Sequence, residues 1–175
     1  MNAMFKATGG FLNDVRRDLS RPHKYAAERV GFISACAANA KDNLILIAQA
    51  YHPLMDDDYV DDVSVGAMMG QEAIRKALNI ALLGPVGMFH VHMHHHEGRP
   101  SFSRTDLREQ LKFVPDFFKV RREMPHGAIV LSHDRAVGRV WLGPEAVIAI
   151  SEFVTVAPKT RIDVGRSGDR VDFTA

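Results

Sequence analysis

Two apolar runs, residues 30–38 (VGFISACAA) and 43–51 (NLILIAQAY), flank the turn residues Asn39, Ala40, Lys41 and Asp42. This pairing constrains the fold more than any other feature of the sequence. Runs of this length without helical spacing read as strands with little exposed surface, and the turn chemistry between them predicts a hairpin. His52 and Pro53 end the second strand. Further apolar runs at 86–92, 127–132 and 136–142 predict three more strands, the last two joined through His133, Asp134 and Arg135. A short strand is expected at 63–65. Helical spacing appears at 11–20, through Phe11, Val15 and Leu19, before Arg21, Pro22 and His23 interrupt it. The clearest helix is 71–83, with Ile74, Leu78, Ala81 and Leu82 on one stripe and Gly84 and Pro85 as its stop. Ser103 starts another, with Leu107, Leu111, Val114 and Phe118 on one side and a kink expected at Pro115. Strands and helices interleaved around hairpins predict an α/β or α+β sandwich.

Bulk properties narrow the class. At 175 residues the chain fits a single domain, 1–175, with a core expected over about 11–157 and a polar tail at 158–175 held loosely. Its 22 basic and 21 acidic residues leave a net charge of +1, so no global field favours nucleic acid or an anionic membrane. One cysteine, Cys36, excludes an internal disulfide framework and a cysteine-based zinc ribbon. The first residues lack the apolar core of a signal peptide, and no run approaches the ~18 apolar residues of a membrane span. A soluble, cytoplasmic protein is the expectation.

The chemistry concentrates in residues 89–106, FHVHMHHHEGRPSFSRTD. His90 and His92 are two apart, so on a strand both imidazoles project from one face. Asp106 follows a loop, at the start of the helix. Two imidazoles and a carboxylate are the ligand set of a hydrolytic zinc site that keeps a position for water. The bland readings are a helix capping box formed by Ser103 and Asp106, and histidines that are merely solvated or packed. The cap and the metal site are compatible, since a first-turn Asp can serve both. A hydrolytic site also needs a base, and Glu28, just before the first long strand, fits that place. Glu97 lies in a loop and Glu72 in the first turn of a helix, where a carboxylate stabilises the dipole. If the strand continues, His94 shares the face of His90 and His92 and offers a rival ligand set. Gly98 and Pro100 instead favour a loop, making His94, His95 and His96 a flexible lip.

Other chemistries lack their residues. A zinc deaminase needs a P-C-x-x-C, which one cysteine forbids, and no H-E-x-x-H occurs. Cys36 lies between alanines in an apolar strand, the setting of a buried, inert thiol.

Glu28 before a Gly-Phe strand, His90-x-His92 and Ser103-x-x-Asp106 together resemble the JAMM motif of the JAB/MPN metalloprotease family, in its prokaryotic stand-alone form. The resemblance spans Glu28 to about Trp141. It implies a curved mixed β-sheet flanked by helices, related to the cytidine-deaminase architecture. It also implies one Zn2+ held by His90, His92 and Asp106, with Glu28 as general acid/base and Ser103 stabilising the oxyanion. The chain departs from the family pattern at Met93, where proline usually follows the second histidine, and in a loop to Ser103 that is a few residues longer.

The implied activity is that of a deubiquitinase-like zinc isopeptidase or peptidase. It would cleave after the C-terminal glycine of a ubiquitin-like protein, in deconjugation or precursor processing. Such relatives occur beside E1/E2-like partners, including in antiviral defence operons. An extended glycine tail is expected to add as a strand beside the sheet. The acidic run from Asp56 to Asp62 offers either a receptor for a basic residue near that tail or a solvated loop. Met68 and Met69 offer either an adaptable contact surface or core packing, and Arg121 and Arg122 read as the basic end of a helix. The alternatives are a non-catalytic MPN scaffold and a zinc hydrolase of a small amide.

Overall fold

The computed structural model describes residues 1–23, 26–61 and 67–156. The strand expected at 63–65 and the tail from 158 lie outside these residues.

Seven strands and three α-helices form in the described residues. They run β1 (Asn2–Thr8), α1 (Gly9–Leu19), β2 (Val30–Ala40), β3 (Asn43–Pro53), α2 (Gln71–Leu83), β4 (Gly87–Met93), α3 (Arg104–Val120), β5 (His126–Leu131), β6 (Ala136–Gly143) and β7 (Ala146–Val156). A single 3-10 turn covers Asp56–Asp58. Among the described residues no helix is long and apolar enough to cross a membrane.

The hairpin forms as expected: β2 and β3 pair antiparallel, with Lys41 at φ 55° in the turn. The architecture does not. The sheet closes into a barrel in the order β1-β3-β2-β4-β5-β6-β7, with β1 pairing parallel to both β3 and β7. This overturns the expected α/β (α+β) curved mixed sheet with a JAB/MPN, cytidine-deaminase-like architecture. Closure comes from β1 and β7, two strands beyond those expected from the sequence. In β1 only Ala3, Phe5 and Ala7 turn inward, on alternate positions, so two of its three core contacts are small.

Alternation along the strands sorts two apolar clusters. Phe5, Ile33, Ala35, Leu46, Phe89, Val91, Met93, Ile129 and Leu131 join one cluster with Val15 and Leu19 of α1. On the other side of the wall, Val30, Phe32 and Met88 pack with Ala73, Ala77 and Ala81 of α2 and Phe117 of α3. On α2, Ala81 is buried as expected together with Ala73 and Ala77, Ile74 and Leu78 are partly buried beside them, and Leu82 is exposed. Small residues allow the helix to approach the wall closely. In α3 the buried residues are Gln110, Val114, Phe117 and Phe118, while Leu107 and Leu111 are exposed. Pro115 stands inside α3, which continues past it to Val120. Arg121 closes this layer by donating to the Ala81 carbonyl (2.9 Å) and the Leu82 carbonyl at the C-terminal end of α2, where a cation complements the helix dipole.

Candidate metal centre

The site follows from the alternation of β4. Phe89, Val91 and Met93 face the first cluster, so Met88, His90 and His92 face the helical side. β2 pairs antiparallel with β4, setting Phe32 opposite His90 and Val30 opposite His92. The β2–β4 pairing ends at Val30 and His92, and just beyond it Glu28 and His94 come together. On the other edge of β4 the His94 backbone N–H still donates to the Leu131 carbonyl on β5 (2.9 Å). His94 thus keeps the strand's direction one residue beyond its formal end.

A cavity of about 740 Å³ opens over this face, lined by Glu28, His90, His92, His94, Ser103 and Asp106, with Met69, Ile74 and Phe113 on its apolar wall. Every residue of the expected motif reaches it. The expected grouping is altered, however. Ligand atoms of Glu28, His92 and His94 all lie within 4.8 Å of one another. Glu28 Oε1 is 3.9 Å from His94 Nε2, and Asp106 Oδ2 is 3.6 Å from His92 Nε2, an electrostatic contact too long for a hydrogen bond. The His90 ring lies 5.7 Å from that of His92 and edge-on to Phe32 and Phe113.

Asp106 is both cap and site residue. Ser103 Oγ accepts from the Asp106 backbone N–H (3.1 Å), and the Ser103 N–H donates to Asp106 Oδ2 (2.7 Å), a reciprocal capping box. The oxygen that takes this bond is also the one turned toward His92, so the helix start aims the carboxylate. Burial works to raise the Asp106 carboxyl. The attraction of His92 and the two Ser103 bonds outweigh it and hold the group well below the usual carboxylate range. Burial, with a smaller contribution from His92, pushes the His90 imidazole down to about 3. His90 is neutral at neutral pH, the form in which a histidine can ligate.

The donor set fits a zinc ion. His92 is 1% exposed, yet neither of its ring nitrogens has a hydrogen-bond partner among the described residues. Leaving a buried polar group unsatisfied costs about 1–3 kcal/mol, which a cation at Nε2 would offset there. Imidazoles beside carboxylates are the borderline donors that zinc prefers.

The triple histidine is not a free lip. His96 N–H donates to the His94 carbonyl and His133 N–H to the His96 carbonyl. Gly98, at φ 88°, donates to Asp134 Oδ1 (2.7 Å) and accepts from Ser132 Oγ (2.7 Å). The β5–β6 turn holds the loop over the site.

Several other expectations resolve into structure. Arg29 donates to Asp56 Oδ1 (2.6 Å), and Lys76 pairs with the buried Asp58 (2.7 Å), so these two carboxylates of the acidic run already have internal partners. Met68 and Met69 line the cavity. Glu72 pairs with Arg75, Glu97 is exposed, and Cys36 is half-buried rather than buried. The reading missed Gln110, which lies one turn after Asp106 on α3, is 1% exposed and lines the cavity. Its i, i+4 spacing from Asp106 was the available signal.

No protein-family model and no curated protein matches this chain. Among solved structures it is similar to the N-terminal domain of Trichoplax adhaerens STIL, at 12% identity and a TM-score of 0.37. That likeness covers 77% of this chain and 40% of the other, so the chain spans less than half the length of its neighbour. It is too distant to carry fold or function.

Proposed function

We propose that this chain is a JAMM-type zinc hydrolase acting in the cytoplasm, an isopeptidase or peptidase that cleaves the amide bond after the C-terminal glycine of a ubiquitin-like protein. The proposal concerns the chemistry of the site and not the architecture around it. One observation carries it: Glu28, His92 and His94 converge to within 4.8 Å, with Asp106 3.6 Å from His92, at a cavity wide enough for a substrate. His92 and Asp106, with His90 or His94, would hold the ion. Zinc supplies Lewis acidity there, polarising a scissile carbonyl and making water a nucleophile near neutral pH.

The side chains provide the remaining steps. Glu28, with its side chain one-third exposed (33%), takes a proton from the attacking water and passes it to the leaving amine. The Ser103 hydroxyl accepts from the cap and keeps its own proton, which it donates to the developing oxyanion. Met69, Ile74 and Phe113 supply an apolar wall that strengthens these interactions by limiting water. The closed ladder offers no full-length sheet edge among the described residues. A glycine tail is therefore received in the cavity rather than added as a strand.

The test measures bound zinc by elemental analysis and then cleavage of a ubiquitin-like–GFP fusion by wild type and Glu28→Gln. One zinc per chain is expected, with cleavage in Glu28→Gln reduced about 10²–10⁴-fold, the range for loss of a general base. A folded protein without zinc, or a Glu28→Gln variant as active as wild type, overturns the proposal. Zinc without fusion cleavage moves the reading to a small amide substrate if amides are hydrolysed, and to a non-catalytic scaffold if they are not. An E1- or E2-like gene beside this one would strengthen the ubiquitin-like assignment.

A further inference from the structure

We propose that His94 and Glu28 are themselves ligands of the ion, so that the centre rests in a closed form held by Glu28, His92, His94 and Asp106. The inference rests on the reading of this site as a metal centre and changes which residues complete it. In the expected arrangement His90, His92 and Asp106 hold the ion and Glu28 stays free. The geometry favours a different position along the same strand, one step toward the cavity mouth.

Three observations place it there. Zinc–ligand bonds of about 2.0–2.2 Å in a tetrahedron put neighbouring ligand atoms about 3.4 Å apart. The His92–Asp106 and His94–Glu28 pairs, at 3.6 and 3.9 Å, already approach that spacing. Ligand atoms of Glu28, His92 and His94 already lie within 4.8 Å of one another, and Asp106 would join them by turning from its 3.6 Å contact with His92. The β4–β5 ladder also runs on to His94, whose ring lies 5.2 Å from that of His92 and whose Nε2 is 3.9 Å from Glu28 Oε1. Finally, the loop after His94 is tied to the β5–β6 turn through Gly98, which anchors the backbone on that side of the histidine. His90 stands apart, packed edge-on between Phe32 and Phe113.

The consequence is functional. While Glu28 ligates the ion it is unavailable as a base, and four protein ligands leave no position for water. Hydrolysis then requires Glu28 to leave the ion, which makes its release a step that substrate binding must favour.

The experiment measures zinc affinity by competition with a chromophoric chelator, and the visible absorption of the Co2+-substituted protein, in wild type, His90→Ala, His94→Ala and Glu28→Gln. His94→Ala and Glu28→Gln are each expected to weaken zinc by more than the about 10–100-fold typical of losing an outer-shell partner. They should also diminish the intense cobalt band of a four-ligand tetrahedral centre. His94→Asp, which restores a donor, should recover most of the affinity and guards against a folding defect in the alanine variant. His90→Ala should bind zinc as wild type does. If His90→Ala loses zinc and His94→Ala keeps it, this inference fails while the zinc-hydrolase reading stands. If wild type binds no zinc, both fail. If the affinities behave as expected but no fusion or small amide is cleaved, the hydrolase reading fails and the closed centre stands.

Discussion

The two faces of β4 belong to one strand, yet one completes a core and the other leaves its demands open. On the inner face Phe89, Val91 and Met93 are all at most 1% exposed, and Phe89 sits edge-on to Phe5 at 5.4 Å. On the outer face His90 and His92 are nearly as buried, but three of their four ring nitrogens have no hydrogen-bond partner among the described residues. Burial stabilises the first face and is a cost on the second. A strand that carries this cost beside a cavity has ring nitrogens free to take a ligand.

The sharpest way to break this comparison is to truncate each face. Phe89→Ala should cost about 3–5 kcal/mol, the range for deleting a buried phenyl group. His92→Ala in metal-free protein should cost below about 1 kcal/mol, because it also removes two unpartnered nitrogens. Urea unfolding in the presence of a chelator measures both. Equal losses would show that the outer face is an ordinary part of the core.

A second test uses a buried histidine that is fully partnered. On β5, His126 accepts from the Met88 N–H at Nδ1 (3.1 Å) and donates from Nε2 to the Arg121 carbonyl (2.9 Å). It also stacks on Phe117. Burial pushes its imidazole down to about 4, against the bonding of Arg121. Protonating Nδ1 would break the Met88 bond. Above about pH 6.5 the ring is neutral folded and unfolded, and its contribution is fully present. As pH falls from 6.5 toward 4, only the unfolded chain takes up the proton, so stability drops. The loss levels off below pH 4 at about 3 kcal/mol. Denaturation across this window should show a slope that His126→Gln reduces by about one proton. An unchanged slope would mean that this ring is not held neutral.

How much of this was legible in the sequence depends on how local each signal is. The bounds of β2, β3, α2 and β4 follow from apolar runs and stop residues, and the shared face of His90 and His92 follows from the strand period. The closing strands did not show. β1 offers one large apolar residue to the core, and its parallel partners lie at distant points in the chain, Asn43–Pro53 and Ala146–Val156. The α2 face is legible in part: Ala81 is buried as its spacing predicts, while close packing puts the small Ala73 and Ala77 at the centre and leaves Ile74 and Leu78 at the margin. Glu28 was recognisable as an acid near the site, but its place beside His94 depends on the β2–β4 register. That register is a tertiary property.

Gln110 gives the smallest and most discriminating test. A glutamine on a helix reads as surface, yet this one is 1% exposed and neither amide atom has a partner among the described residues. If it is only a packing residue, Gln110→Leu replaces two unsatisfied groups with an apolar side chain of similar size and should stabilise metal-free protein by about 1 kcal/mol. If it serves the site, the gain in stability should come with a loss in zinc affinity or in cleavage, the trade expected where burial of polar atoms is kept for function. Thermal unfolding and the chelator competition on the same variant separate the two. A variant less stable than wild type would show that the amide is satisfied in solution, removing Gln110 from the outer-face contrast and leaving the histidines to carry it alone.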